Sequence, residues 1–363
     1  IKVIPSIKME VINMKIELGL TSFADNTAIQ SEDGPQPAIS KAERIRNIVE
    51  EIETADQYGL DIYGLGEHHR QDYAVSDPVS VLAAAARTTE HIKLSSAVTV
   101  LSSDDPVRVY QRFATLDALS NGRAEIMVGR GSFIESFPLF GYLLNDYEAL
   151  FEEKLELLLR INQHEIVHWE GRLTPSIDGR AVYPRAEQTS LPIWIATGGT
   201  PESSLRAGAL GLPITYAIIG GDPKRFARNV EMYRAMARSN GHDPNELSVA
   251  THSWGYVAET DEEAEREFYH AVKVSHDQLA KERGWPAYDL NAYHREMGSH
   301  GALYVGSPET VAKKIIETVE TLGLSRFMLH TPVGSIPHER TLRSIKLFAK
   351  RVKPIVDKYF EDK

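Results

Sequence analysis

The feature that most constrains this chain is an alternation. Short strand-like runs lie at 15–20 (KIELGL), 60–66 (LDIYGLG), 92–101 (IKLSSAVTVL), 121–131 (a turn, then a strand), 191–199, 213–221, 246–258 and 326–332. Segments with helical spacing separate them, at 39–59, 77–89, 104–120, 146–161, 200–211, 222–239, 261–281, 307–323 and 337–352. In the first, Ile45, Ile48, Val49 and Ile52 share one stripe. Asp77-Pro78 and Asp105-Pro106 are helix starts, an acidic N-cap followed by proline at the first helical position.

Alternating strand and helix units predict a parallel sheet covered by helices. Eight such units predict an α/β fold of one kind, the closed (β/α)8 or TIM barrel. The alternative is a doubly wound open sheet, which does not need eight regular units. At 363 residues the chain exceeds the roughly 250 of a plain barrel. The surplus is expected after strand four (131–146 with 162–190) and before strand eight (282–306). The domain strands begin near Met14. Residues 1–13 are read as an upstream extension or expression remnant, the alternative being a short native arm, and 14–363 as one barrel domain.

Composition narrows the function. A net charge of −11 argues against a nucleic-acid groove or an anionic membrane surface, both of which need clustered Lys and Arg. With no Cys, there is no disulfide, thiolate ligand or Cys nucleophile. No apolar run approaches the roughly 20 residues of a membrane helix. A cytoplasmic protein is expected.

In barrels of this kind chemistry sits at the C-terminal strand ends. Glu67, His68 and His69 end strand two. Ser22 follows strand one, Ser102 and Ser103 strand three, Arg130 strand four, Thr197 to Thr200 strand five, His252 strand seven and His330 strand eight. These groups are expected around one mouth. Several histidines and a carboxylate admit a metal-dependent hydrolase, which needs three or more ligands in fixed geometry. Strand one, however, ends LTSFADN, without the His-x-His pair of the familiar hydrolytic barrels. No metal ligand is therefore assigned.

The stretch ATGGTPESS (196–204) sets Gly198 and Gly199 between a strand and a helix whose first turn carries Thr200, Ser203 and Ser204. Free N–H groups and the helix dipole favour an anion there. Arg130 in GRGSF could fork onto the same phosphate. The alternative is an ordinary capped helix. The small residues of LSSAVTVLSSDDP (94–106) let a flat ligand approach the backbone, although buried parallel strands are often rich in Ala and Val.

Taken together, GLGEHH, SSAVTVLSSDDPVR, LDALSNGRAEIMVGRG and WIATGGTPESSLRAGALGLP resemble the bacterial-luciferase-like flavin-dependent oxidoreductases. The similarity runs from about Met14 to the C-terminal helix. The block from Leu116 to Gly131 is its most specific part. The resemblance implies a (β/α)8 barrel using reduced FMN or, in some branches, the deazaflavin F420, and often activating O2.

By position, the resemblance puts the flavin phosphate on Arg130, the backbone at Gly199, Thr200, and Ser203 or Ser204. It puts a non-proline cis peptide, buttressing the flavin ring, at Ala97–Val98. His68 matches the catalytic histidine near the flavin's reactive edge. Glu67 and His69 would orient it or brace the strand end, and Ser22, His252 and His330 would line the substrate side. Two departures bear on light emission. Gly199 stands where the bioluminescent enzymes carry an acidic residue, and Gly129 where they carry a reactive Cys.

The expected function is therefore a non-luminescent FMN-dependent monooxygenase. It would take reduced FMN from a separate flavin reductase and use O2 on a small organic substrate, with FMN preferred to F420. The alternatives are the metal-dependent hydrolase and a non-catalytic flavin-binding barrel. The resemblance implies a C2 homodimer through helix 104–120 and the segment after it; Val107, Phe113 and Leu116 give that helix more apolar positions than one core face needs, the alternative being burial against the barrel. Segment 282–306, with Trp285, Tyr288, Tyr293 and Met297, is expected to be irregular and to fold over the mouth as a lid.

Overall fold

The computed structural model describes residues 15–31, 34–131, 133–284 and 286–363. The expectations for residues 1–13, Met14 and Trp285 lie outside them. The barrel strands are β1 (Glu17–Ser22), β2 (Ile62–Leu65), β3 (Lys93–Ser96), β4 (Ala124–Gly129), β5 (Ile193–Thr197), β6 (Ile214–Ala217), β7 (Val249–Val257) and β8 (Arg326–His330). Each pairs in parallel with the next, and β8 pairs with β1 over Glu17↔Arg326 to Thr21↔His330. The circle is closed, which excludes the open sheet.

Helices cover the outside: α1 (Lys41–Gln57), α2 (Pro78–Ala86), α3 (Pro106–Ser120), α4 (Tyr147–Gln163), α5 (Pro201–Leu210), α6 (Ala227–Ser239), α7 (Asp261–Arg283), α8 (Pro308–Leu322) and α9 (His338–Leu347). Their starts follow the expected chemistry. Asp105 accepts the N–H of Arg108, and Pro106 occupies the first turn of α3. Asp77 caps α2 by position only, since its side chain makes no capping hydrogen bond.

Strand alternation sorts side chains into layers. The floor holds Glu17, Lys93, Glu125 and Arg326. Arg326 Nη1 meets Glu125 Oε2 at 2.8 Å, its Nη2 meets Glu17 Oε2 at 2.6 Å, and Lys93 bridges both carboxylates. The guanidinium lies 4.2 Å from the Trp194 ring centroid. Above it, Ile62, Met127, Trp194, Ala250 and Met328 form an apolar plug with Ala97. At the mouth stand small residues, Thr21 and histidines.

The insertions are more ordered than expected. After β4 come a short helix (Ser136–Phe140) and, beyond α4, an antiparallel hairpin of Ile166–Trp169 with Ile177–Ala181. The expectation that 282–306 is irregular is wrong. It contains a helix, Leu290–Met297, and a strand, Tyr304–Gly306, which pairs in parallel with the C-terminal half of β7. Asp289 caps that helix through the N–H of Ala292. Lys314 of α8 binds the carbonyls of Glu296, Met297, Gly298 and Leu303 at and beyond its end. The helix is short and polar on most sides, and only Tyr293 is fully buried. Its periodicity was too brief to register.

Candidate active site at the barrel mouth

Strand three breaks where chemistry is expected. β3 ends at Ser96, the Ala97–Val98 peptide bond is cis, and extended backbone resumes at Thr99–Val100 before a turn at Leu101–Ser103. The run read as one strand over 92–101 is therefore two. The neighbouring strands leave room for this detour by carrying glycine. A Cβ on Gly64 would lie 2.9 Å from Ala97 Cβ, one on Gly66 3.2 Å from the Ala97 carbonyl, and one on Gly129 2.8 Å from Val98 Cγ2. The 97–98 segment thus bulges into a pocket of about 150 Å³ at the mouth, bounded by Phe23, His68, Arg130, Thr197, Ala217 and His252 among others.

Glu67 ties the end of β2 to that bulge. Its Oε2 accepts the backbone N–H of Val100 at 3.0 Å, and its Oε1 meets His69 Nε2 at 2.9 Å. His68 projects to the other side. Its ring stacks on Tyr73, centroids 4.1 Å apart, and packs against Phe23 and Phe133. Its Nδ1 is buried without a hydrogen-bond partner. Burial among these rings pushes His68 down to about 3, so the imidazole is neutral at physiological pH.

The other histidines are held differently. The Thr21 hydroxyl lies 3.2 Å from His252 Nδ1 and 3.0 Å from His330 Nδ1. Burial pushes His252 down to about 4 and His330 well below its usual range. His252 borders the pocket, whereas His330 lies one layer behind it. The Phe23 ring is wedged between them and His68, at 5.7, 4.2 and 5.0 Å from His252, His330 and His68. Among the described residues no three His, Asp or Glu side chains converge as a metal ion requires.

At the opposite rim, Arg130 Nη2 stands 3.2 Å from Thr200 Oγ1 and 3.4 Å from Ser203 Oγ. Thr200 is the N-cap of α5, and Pro201 fills the first turn. Arg130 Nη1 is engaged by Glu148, which is half exposed and also lies 3.5 Å from Arg206. Gly198 faces open space, with nothing within 4 Å of where its Cβ would be. Gly199 has φ +105°, a conformation that favours glycine, and a Cβ there would meet the Phe226 ring at 2.7 Å. Its N–H donates to Thr197 Oγ1.

Three expected residues face elsewhere. Ser22 is one residue out of phase with Thr21, so it points out of the barrel. It accepts from the Ala24 N–H and from Arg44 of α1. Ser204 lies a third of a turn past Ser203 and is bonded to the Tyr216 hydroxyl at 2.9 Å against the barrel wall. Ser103 is buried against Ser136, away from the mouth. Phe23, Tyr73, Phe133 and Tyr147 border the site or its histidine and went unrecognised, since isolated aromatics in loops carry no periodic signal. Thr21 was legible in principle, because it shares the inward parity of Glu17.

The model of the luciferase-like monooxygenase family matches residues 17–326. The chain belongs to that family. It is 26% identical over 318 residues to limonene 1,2-monooxygenase of Rhodococcus erythropolis, covering 85% of this chain and 81% of that one. The crystal structure of monooxygenase RslO1 from Streptomyces bottropensis superposes with a TM-score of 0.80 at 25% identity, covering 93% of this chain and 99% of that one. The oxygenating constituent of 3,6-diketocamphane monooxygenase from Pseudomonas putida, solved with FMN, shares the fold at TM-score 0.73 and 21% identity, covering 94% and 98%. As a member of the luciferase-like monooxygenases, the chain is an oxidoreductase of monooxygenase type. Among the described residues no helix is long and apolar enough to cross a membrane.

Proposed function

We propose that this chain is an FMN-dependent monooxygenase that takes reduced FMN from a separate flavin reductase and uses O2 to oxygenate a small organic substrate. The observation that carries this reading is the polarity of the mouth. One rim offers Arg130 with the Thr200 and Ser203 hydroxyls at a helix N-terminus. The other offers a partnerless neutral imidazole, His68, beside the backbone bulge at Ala97–Val98.

When bound, reduced FMN supplies the two electrons that activate O2. The protein's part is positioning and proton control. Arg130, Thr200, Ser203 and the first N–H groups of α5 hold a compact terminal phosphate, which favours FMN over F420. Gly198, facing open space, admits the chain that leads inward. Ala97, Val98 and Met127 line the pocket and would pack against the flavin ring. His68, a neutral imidazole whose Nδ1 has no partner, would hold a proton on one ring nitrogen and pass it on as general acid/base. Glu67 and His69 fix the strand end from which it projects. His252 borders the substrate side.

Light emission is not part of the proposal. Positions 129 and 199 carry glycine, and a side chain at 129 would collide with Val98. We place the enzyme in the cytoplasm, where nicotinamide nucleotides and flavin reductases operate.

Titration of the protein with FMN, followed by NADH oxidation with a generic flavin reductase in air, tests the reading. Tight FMN binding and formation of an oxygenated product from a panel of cyclic ketones and terpenes would support it. Binding without product from any substrate would favour a non-catalytic flavin protein. No binding of FMN would remove the proposal.

A further inference from the structure

Four polar side chains stand in a row through the barrel wall, and the reading above uses only the last of them. His252 borders the mouth. Beside it the hydroxyl of Thr21, which lines the same pocket, touches His252 Nδ1 at 3.2 Å and His330 Nδ1 at 3.0 Å. On the far side of His330, its Nε2 is 4.0 Å from Asp25 Oδ2. That oxygen is buried and has no hydrogen-bond partner.

A threonine hydroxyl has one proton to donate. It also has two lone pairs, and both imidazoles present Nδ1 to it, so whenever Thr21 donates to one ring the other ring bonds it only by donating through Nδ1–H. In that arrangement the two tautomers are linked through Thr21, and whether His330 carries its proton on Nε2 or Nδ1 decides which state His252 shows to the mouth. At 4.0 Å Asp25 Oδ2 and His330 Nε2 are not hydrogen-bonded as they stand; once that gap closes, a protonated Asp25 donates to His330 Nε2. His330 then donates from Nδ1 to Thr21, Thr21 donates to His252 Nδ1, and His252 carries its proton on Nε2. An ionised Asp25 reverses every bond.

We propose that Asp25, His330, Thr21 and His252 form a proton relay between an outer cavity and the mouth. The outer cavity, of about 180 Å³, lies between α1 and the turn after β8 and is lined by Arg44 and Gly334 among others. Arg44 Nε donates to the Asp25 carbonyl at 3.2 Å, and the Gly334 backbone hydrogen-bonds the Asp25 carboxyl, so Asp25 lies behind that cavity, bonded to two residues of its lining.

In one passage, a proton leaves Asp25 Oδ2 for His330 Nε2. The Nδ1 proton of His330 passes to Thr21, the hydroxyl proton of Thr21 passes to His252 Nδ1, and the Nε2 proton of His252 bonds to an acceptor at the mouth. Each ring gains one proton and loses one and remains neutral. Asp25, left as a carboxylate, is reprotonated from the outer cavity. One proton has moved and no electrons have. That the proton serves oxygen chemistry at the mouth rests on the proposed function; the wiring does not. Thr21, His330 and Asp25 are positioning residues in this scheme.

The surroundings suit the role. Burial raises the Asp25 carboxyl to about 7 and keeps both rings neutral. The charged and titratable groups facing Asp25 are Arg44 from α1, Asp72 and Tyr73 from the loop after β2, and His330 from β8. Those facing His330 are Asp25, His252 and His68.

The test is imidazole nitrogen NMR on cofactor-free protein with isotope-labelled histidine, between about pH 5.5 and 8.5, the range in which such groups titrate. In the wild type, His330 and His252 should change tautomer together as Asp25 ionises. Asp25→Asn should freeze both. Thr21→Val should leave His330 responsive and His252 fixed, and Thr21→Ser should restore the coupling. Tautomers that ignore pH in the wild type, or a His252 that responds equally in Thr21→Val, would overturn the relay. FMN titration of the same samples separates the two ideas: coupled tautomers without FMN binding support the relay and defeat only the flavin reading.

Discussion

Glu67 accepts the backbone N–H of Val100 at 3.0 Å, and so fastens the end of β2 to the backbone just beyond the Ala97–Val98 bulge. A buried N–H that loses a charged acceptor costs about 1–3 kcal/mol. Glu67→Ala should therefore lower stability by about that amount, read as a shift in the urea midpoint. Glu67→Gln, which keeps an acceptor oxygen, should lose less. Equal losses in the two variants would show that the bond to Val100 is not what matters.

Arg130 should dominate cofactor affinity. Arg130→Ala is expected to weaken FMN binding by about 1.5–3 kcal/mol, the scale of a hydrogen bond to a charged group. Glu148 now engages the same guanidinium and is half exposed, so it competes with the phosphate at modest strength. Glu148→Gln should tighten FMN binding by a few-fold, about the ceiling for a surface ion pair. Fluorescence titration reads both, and unchanged affinity in Arg130→Ala would move the phosphate elsewhere.

His68→Ala should leave FMN affinity within a few-fold. It should lower substrate oxidation by about 10²–10⁴, the usual contribution of a general acid/base. Reduced flavin would then be reoxidised with release of peroxide, measurable by a peroxidase assay. A variant that keeps wild-type coupling would reduce His68 to scaffolding.

Stability should fall in acid because of the mouth. His252 is held near 4 when folded and titrates near 6.5 when unfolded, so between those values the unfolded chain takes up a proton that the folded one refuses. The stabilisation is present above about pH 6.5 and is lost as pH falls toward 4. Asp25, held near 7, acts in the opposite sense by binding a proton when folded. His252→Asn should remove one proton's share of the slope, about 1.4 kcal/mol per pH unit at most, from urea midpoints measured across that window. An unchanged slope would mean that His252 ionises freely in the folded protein.

Of the three residues on which a homodimer was expected, Val107 is only partly buried. Phe113 and Leu116 are buried in the chain's own core. Exposed apolar side chains gather instead after β4, at Ile134, Leu139, Phe140, Leu143 and Leu144, each close to half exposed or more. A C2 dimer through this face is expected, with light scattering giving twice the chain mass. Leu139→Glu with Leu143→Glu should yield a monomer. A monomeric wild type at micromolar concentration rules the dimer out.

The barrel was legible because most of its strands are compact apolar runs bounded by breakers, and because helix starts such as Asp105-Pro106 are explicit. The site was legible only where a residue type announces itself. Arg130 and His68 stand where they were placed, at the mouth. Ser22 was misread because position alone does not give parity, and one residue turns a side chain from lumen to wall. Glu125 and Arg326 went unnoticed because a buried ion pair reads, in sequence, like two solvated charges. Asp25 was silent for the same reason. The helix 290–297 was lost because its hold on the protein comes from Lys314 and Asp289 rather than from its own periodicity.

Segment 282–306 borders a cavity that adjoins the mouth pocket. Tyr288, Glu296 and Leu303 line a cavity of about 450 Å³ that shares Gly198 and Ala217 with the mouth pocket. Glu282 pairs with Arg70, two residues past His68. A lid role predicts that Glu282→Ala raises peroxide release relative to product while FMN affinity holds. An unchanged ratio would leave the segment a fixed wall.

The ionic floor makes the barrel a blind well. Arg326, Glu17, Lys93 and Glu125 lock together beneath Trp194 and plug that end with ion pairs and an indole ring. Traffic through a single opening is stacked: whatever sits deepest enters first and departs last. A cofactor resting on the 97–98 bulge would have to arrive before the molecule it acts on, and could not be exchanged until the product had cleared the way.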